Sequence, residues 1–138
     1  MQGFNLLVVF NKSLDRILMC KRTKEPYLGL SNFVGGKIEC GEDGFAAAYR
    51  ELEEETSITK DDITLKYFAN FTYFYGDCYL EIYVGKLNKD ITPHGDEKLL
   101  YWSDLNHDFF NSKEYAGEGN IGHILEEIEL VKDQLFDL

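Results

Sequence analysis

The run from Gly36 to Ile58, GKIECGEDGFAAAYRELEEETSI, constrains the fold more than any other part of the chain. It follows Gly35, so a Gly-Gly turn leads into a segment of helical character, with Asp43 after Gly41 marking the helix start. Glu51, Glu54 and Glu55 stand at i, i+3 and i+4, where side chains are neighbours on a helix surface. Three like charges so placed raise one another's pKa unless a cation sits among them. Carboxylate oxygens suit a hard ion such as Mg²⁺, which commonly completes its shell with water and substrate phosphates. The pattern predicts a metal site that handles a phosphate ester or anhydride.

A Glu-rich helix in general is a solvated face laced with i,i+4 pairs. Here the helical wheel argues otherwise. At about 100° per residue, with Glu51 at zero, Glu55 falls near 40° and Glu54 near −60°, adjoining an apolar stripe of Phe45, Ala48, Tyr49 and Leu52. Glu53 and Ala46 point at solvent by the same geometry. An exposed salt-bridged face would carry lysines, yet this helix has Arg50 as its one cation. Glu51 and Glu55 are expected at the edge of the core, short of basic partners.

The stretch resembles the Nudix box, G-x5-E-x7-R-E-U-x-E-E-x-G-U, where U is a bulky aliphatic residue. Gly36, Glu42, Arg50, Glu51, Leu52, Glu54, Glu55 and Ile58 occupy the required places. With Gly, Glu and Arg each at roughly 5–7% usage, those six positions should coincide by chance in about one window in 10⁷. Ser57 departs, standing where the family has a left-handed Gly at the helix end. Ser adopts that conformation at a modest steric cost, so some local destabilisation is expected and not loss of activity. The resemblance extends to LGLSNFVGGKIECGE and GDEKLLYWSDL and is nearest to the MutT-type nucleoside triphosphate pyrophosphohydrolases. Val34 stands where such enzymes often have Pro before the double Gly, although related oxidised-purine hydrolases also lack that Pro.

The resemblance implies a Mg²⁺ cofactor, with Mn²⁺ as an alternative, held by the Gly36 carbonyl, Glu51, Glu54, Glu55 and Glu97. It makes Glu54 and Glu55 the principal metal carboxylates and Glu51 a further ligand or a water-orienting group. Arg50 matches the residue that bridges to box carboxylates such as Glu42, a pair that is structural first. Glu97, or Asp96 beside it, takes the place of a base or extra ligand that lies outside the box. The catalytic set is thus Glu51, Glu54, Glu97 and Arg50, and the substrate-binding set is Asn32, Gly35, Gly36 and Lys37. Asn32 matches an Asn that contacts the purine in oxidised-purine hydrolases, and equally suits a strand-end or turn Asn. Further base contacts would come from the late loop, about Asn106 to Asn120, although Asn120 reads better as the cap of the last helix.

The implied reaction is hydrolysis of a phosphoanhydride in a nucleoside diphosphate-X compound, foremost a nucleoside triphosphate such as 8-oxo-dGTP, giving monophosphate and pyrophosphate. An ADP-ribose or nucleotide-sugar pyrophosphatase is the rival enzyme. A non-catalytic nucleotide-binding regulatory domain is the rival of another class.

A formal charge of −11 argues against a nucleic acid polymer or an anionic membrane as partner, since both demand a basic surface. The 138 residues allow one proper core, so a single domain over 1–138 is expected, as monomer or homodimer. Cys20, Cys40 and Cys78 are odd in number and lack a C-x-x-C pair, which points to a reducing cytoplasm and away from a disulfide framework. The opening apolar run is too short for a membrane span and lacks the marks of a leader.

FNLLVVF and RILMCKR predict an opening hairpin around NKSLD, followed by a loop over Glu25 to Ser31 and a short strand around Asn32 to Val34. Two long strands are expected at about Thr64 to Tyr75 and Cys78 to Leu87, with their aromatics mostly in the core or on the sheet face and one or two left for base stacking. LLYWSDL adds a strand, and Ile121, Ile124, Leu125, Ile128, Val131 and Leu135 keep the pattern of a second helix from near Asn120. His94, His107 and His123 lack metal spacing and are expected on the surface or in packing. These elements predict an α/β protein, and the resemblance makes it the Nudix α/β/α sandwich, with a mixed β-sheet between helices.

Overall fold

The computed structural model describes residues 1–95 and 99–138; Asp96 and Glu97 lie outside the described residues. Strand β1 (Gln2–Phe10) turns into β2 (Arg16–Lys21) through a side-chain-braced loop, in which Asn11 Oδ1 accepts the backbone N–H groups of Asp15 and Arg16, each at 3.0 Å. Asn supplies such turns because its amide imitates a backbone carbonyl. Two short strands follow, β3 (Ser31–Asn32) and β4 (Lys37–Ile38), then helix α1 (Gly44–Thr56). Strands β5 (Ile63–Tyr73), β6 (Cys78–Leu87) and β7 (Leu99–Asp104) precede helix α2 (Asn120–Leu135).

The sheet order is β3-β2-β1-β6-β5, with β4 also on β1 and β7 on β2. β1 runs parallel to β6, from Gln2 opposite Cys78 to Phe10 opposite Lys86, while β5 pairs antiparallel with β6. Successive side chains alternate between faces. Leu7 and Val9 of β1 therefore pack with Ala48 and Leu52 of α1, whereas Val8 and Phe10 pack with Ile121, Ile124 and Ile128 of α2. A mixed sheet is thus enclosed by one helix on each face, the expected α/β/α sandwich. Burying a side chain such as Leu52 stabilises the fold by about 1.5–3 kcal/mol, and Leu52→Ala would cost about 2–5 kcal/mol.

The helix carrying the acidic residues starts and stops where its sequence says it should. Asp43 caps it, accepting the Ala46 N–H at Oδ2 over 3.2 Å. Ser57 ends it in the left-handed region, φ 67°, with its own N–H bonded to the Glu53 carbonyl at 2.9 Å. The buried face differs from the expected stripe. Ala47 and Ala48 are buried, while Phe45 is 42% exposed and packs edge-on against Tyr83. Ala47 lies one turn before Glu51, so the arc that carries the carboxylates faces the protein.

Three further expectations are adjusted. Strand pairing stops at Asn32, and Val34 keeps only an isolated bridge to Leu7. β5 ends at Tyr73, which leaves Phe74 and Tyr75 in the turn, 81% exposed and fully exposed, rather than on the sheet face. Asn120 does not cap α2: Gly119 holds the cap position, and Asn120 Nδ2 donates instead to the Tyr73 hydroxyl at 2.7 Å. Among the described residues, no helix is long and apolar enough to cross a membrane.

Candidate active site

Strand β1 grips the double-glycine loop through its backbone. The Leu7 N–H donates to the Val34 carbonyl and the Asn5 N–H to the Gly36 carbonyl, both at 2.9 Å. A Cβ on Gly35 would come within 2.1 Å of the Asn5 carbonyl oxygen, and a Cβ on Gly36 would lie 2.5 Å from the Glu51 carboxyl carbon. Gly35 is therefore required by the close approach of main chain, whereas a side chain at residue 36 would push the Glu51 carboxylate aside. The Gly36 N–H donates to Asn5 Oδ1, and the Gly35 N–H donates to Glu55 Oε2, each at 3.0 Å.

Arg50 organises the other carboxylates. Its Nε and Nη2 donate to the two oxygens of Glu42 at 2.7 and 2.9 Å, a two-point pair that fixes orientation as well as position. Its Nη1 donates to Glu51 Oε1 at 3.0 Å and to Glu54 Oε2 at 3.2 Å, and Nη2 also reaches the Lys37 carbonyl at 3.2 Å. The shortage of basic partners expected for this face is thus met by one guanidinium serving three carboxylates.

The charge states follow from these contacts. The Arg50 guanidinium holds the Glu42 carboxyl down to about 2 from its ordinary value, helped by the Glu39 N–H. Glu42 in turn pushes Arg50 further up, so that it stays charged throughout. Burial, and then the neighbouring Glu55, push Glu51 up, with Arg50 pulling against them and Glu54 adding to them. Glu51 has a side chain only 12% exposed, whereas that of Glu54 is 59% exposed. Water screens Glu54, so the electrostatic stress of the cluster falls on Glu51.

The structure brings Gly35, Gly36, Glu42, Arg50, Glu51, Glu54 and Glu55 together. Lys37 is exposed on β4 and joins through its carbonyl alone. Asn32 is half-buried, its Oδ1 accepting the N–H of Phe33 at 2.8 Å. The late loop comes back beside it: the Ser31 N–H bonds the Glu114 carbonyl, and the Ala116 N–H bonds the Ser31 carbonyl, each at 2.9 Å. Tyr27 reaches across to the same loop, donating to Glu118 Oε2 at 2.6 Å. The histidines take surface and packing positions, His107 against Asp104 and His123 against Glu127 and Phe71.

Among the described residues, no three His, Cys, Asp or Glu side chains are drawn together closely enough to hold a metal. Arg50 supplies the positive charge between Glu51 and Glu54. The donor chemistry nevertheless fits Mg²⁺. The candidate ligands are all oxygens, the Glu51 carboxylate occupies a cradle that any Cβ at residue 36 would fill, and its raised pKa marks negative charge in need of a cation.

Sequence reasoning missed Asn5 and Glu81. Asn5 is 1% exposed, and Glu81 lies opposite it in the β1–β6 register and accepts the Tyr83 hydroxyl at Oε1, 2.8 Å. A lone polar residue inside the apolar run FNLLVVF was the available signal for Asn5.

Comparison with known proteins agrees with this geometry. The NUDIX domain family model matches residues 2–117, and the chain belongs to that family. It is a hydrolase acting on phosphoanhydride bonds. Curated protein sequences contain no match to it. Among solved structures, it is similar to a MutT from work on Aliivibrio salmonicida and Vibrio cholerae, at 25% identity and TM-score 0.70, over 93% of this chain and 96% of that one. It is also similar to a C. elegans Ap4A hydrolase, at 21% identity and TM-score 0.70, over 92% of this chain and 98% of that one. A third likeness is to the E. coli dihydroneopterin triphosphate pyrophosphohydrolase, at 21% identity and TM-score 0.70, over 90% and 92%.

Proposed function

We propose that this single-domain chain hydrolyses a nucleoside triphosphate to the monophosphate and pyrophosphate, with an oxidised purine nucleotide such as 8-oxo-dGTP as the leading substrate. The observation that carries this reading is the Glu51 carboxylate seated on Gly36 beside Glu54 and Glu55, with Arg50 and Glu42 bracing the loop. The likeness to a MutT over nearly the whole of both chains supports a triphosphate, and the likeness to an Ap4A hydrolase at the same TM-score keeps dinucleotide polyphosphates among the substrates to be tested.

Glu51, Glu54, Glu55, the Gly36 carbonyl and Glu97 would hold Mg²⁺ or Mn²⁺. The bound ion neutralises charge on the phosphoryl oxygens and lowers the pKa of water. Glu51 Oε1 is engaged by Arg50, which leaves Oε2 to take a proton from the attacking water. Glu97, just before β7, is the second candidate for that proton. Arg50 keeps Glu51 and Glu54 in register, and Asn32, Gly35, Gly36 and Lys37 contact the nucleotide. In the balanced reaction water adds to phosphorus, pyrophosphate leaves, and the water proton passes to the carboxylate and then to solvent. The acidic surface leaves small nucleotides as partners, and a cytoplasmic setting suits such a substrate.

The test is turnover with Mg²⁺ on a panel of oxidised and ordinary nucleoside triphosphates, ADP-ribose and dinucleotide polyphosphates, ranked by kcat/KM. Highest kcat/KM on an oxidised purine triphosphate, with pyrophosphate released, is expected. Preference for ADP-ribose would replace the substrate assignment. Nucleotide that raises Tm but stays intact would make the chain a binding domain.

A further inference from the structure

Among the described residues, one buried side-chain atom has no hydrogen-bond partner: Nδ2 of Asn5. A buried amide N–H₂ left unpaired is costly, and a protein retains one where something outside the chain completes it. The rest of Asn5 is committed. Its backbone N–H holds the Gly36 carbonyl, its Oδ1 holds the Gly36 N–H, and its carbonyl lies against the Gly35 Cα. Asn5 alternates with Leu7 and Val9, so its side chain lies on the α1 face of the sheet, where Glu51 covers Gly36. The N–H and the carbonyl of Gly36 are therefore both held by one residue, and the same residue carries a spare donor beneath the loop that Glu51 covers.

We infer that Asn5 is a substrate-binding residue of the active site: its Nδ2, shut from solvent while Glu51 lies over Gly36, donates to a phosphate oxygen of the substrate once that carboxylate is drawn aside. The surroundings are strongly acidic, and an amide is an uncharged side chain that can brace a backbone N–H through its oxygen while its nitrogen offers a donor to an anion. A lysine in that place would pair with Glu51, and an aspartate would repel the phosphate. The inference rests on the phosphoanhydride hydrolase reading and deepens it.

The experiment compares the full chain with Asn5→Asp and Asn5→Ala, using Mn²⁺ followed by electron paramagnetic resonance and the unreactive diphosphate analogue methylenediphosphonate. Asn5→Asp keeps the acceptor for the Gly36 N–H and loses the donor. Asn5→Ala loses both and adds no charge. The expected result is analogue binding weakened in both variants by about tenfold to a hundredfold, the range of a hydrogen bond to a charged group. Mn²⁺ binding without the analogue should not weaken in either variant, which loss of a merely structural brace on Gly36 would not allow. Weakening in Asn5→Asp alone would mean charge repulsion, and weakening in Asn5→Ala alone would mean loss of the loop brace; either overturns the inference, as do unchanged affinities in both. If the unsubstituted chain bound neither Mn²⁺ nor the analogue, the phosphoanhydride reading itself would fall.

Discussion

Arg50 and Glu42 face one another as a fork on a fork, Nε to Oε2 at 2.7 Å and Nη2 to Oε1 at 2.9 Å, and so clamp the loop before α1 to the middle of that helix. The same guanidinium reaches Glu51 and Glu54, so a loop brace and a carboxylate spacer are combined in one side chain.

Arg50→Lys should separate these duties. An ammonium is a point charge that cannot bond three carboxylates and a carbonyl in fixed directions. We expect kcat to fall by about 10–100-fold, the range for groups that orient metal ligands, with Mg²⁺ required at higher concentration. Steady-state rates against Mg²⁺ concentration would show it. Unchanged kinetics would remove Arg50 from the site.

The Glu42 pairing has a pH signature. Its carboxyl is held down to about 2 from 4.5, chiefly by Arg50, so the folded state releases this proton more readily than the unfolded chain. The stabilisation is complete above pH 4.5 and is lost as pH falls through about 2. Thermal melts across that acid window should show Glu42→Gln losing less stability than the native protein on acidification. Parallel curves would refute the pairing.

For Glu51 the sign is opposite. Burial and Glu55 raise its pKa against the pull of Arg50, so its negative charge at neutral pH opposes folding while no metal ion is bound. Glu51→Gln should melt at or above the native temperature in chelator, yet gain less than the native protein when Mg²⁺ is added. Differential scanning calorimetry with and without Mg²⁺ tests both halves. An equal Mg²⁺-induced rise in both proteins would exclude Glu51 as a ligand.

Glu54→Gln isolates the metal assignment from the fold, because the Glu54 side chain is largely exposed and a glutamine oxygen can still accept from Arg50. Turnover should drop on the order of a hundredfold or more, beyond the 10–100-fold typical of groups behind the ligands. Circular dichroism and Tm should be close to native. Native turnover would sink the assignment.

Ser57→Gly addresses the one departure from the box. Ser57 sits at φ 67°, where a side chain is disfavoured, although its hydroxyl donates to the His94 carbonyl at 3.0 Å. Relief of the left-handed strain should outweigh that exposed bond and the added freedom of the unfolded chain, giving up to about 1 kcal/mol of stabilisation in urea unfolding.

Local chemistry was legible in the sequence wherever the cause was local. Asp43 as cap, Ser57 as the left-handed stop and the carboxylate spacing on α1 are all set within one or two turns, and all three stand in the structure. Asn120 was misread because its amide answers to Tyr73, which lies on β5 and far away in sequence. The part played by Asn5 depends on β1 lying beside the double-glycine loop, a pairing that no spacing along the chain announces. The Phe45 position was misjudged because Phe45 stands in the first turn of α1 and packs edge-on against Tyr83, a distant partner that a helical wheel does not show. Glu97 falls outside the described residues, so the structure adds nothing to its standing.

The parallel pairing of β1 with β6 also bears on how the enzyme comes into being. During synthesis the first strand must wait for residues 78–86 before its longest neighbour exists, and until then a row of main-chain amides stands unsatisfied along one edge. Contacts so distant along the chain slow folding. The candidate site, hung from β1 through Asn5 and Gly36, would take shape only once β6 has docked beside that strand.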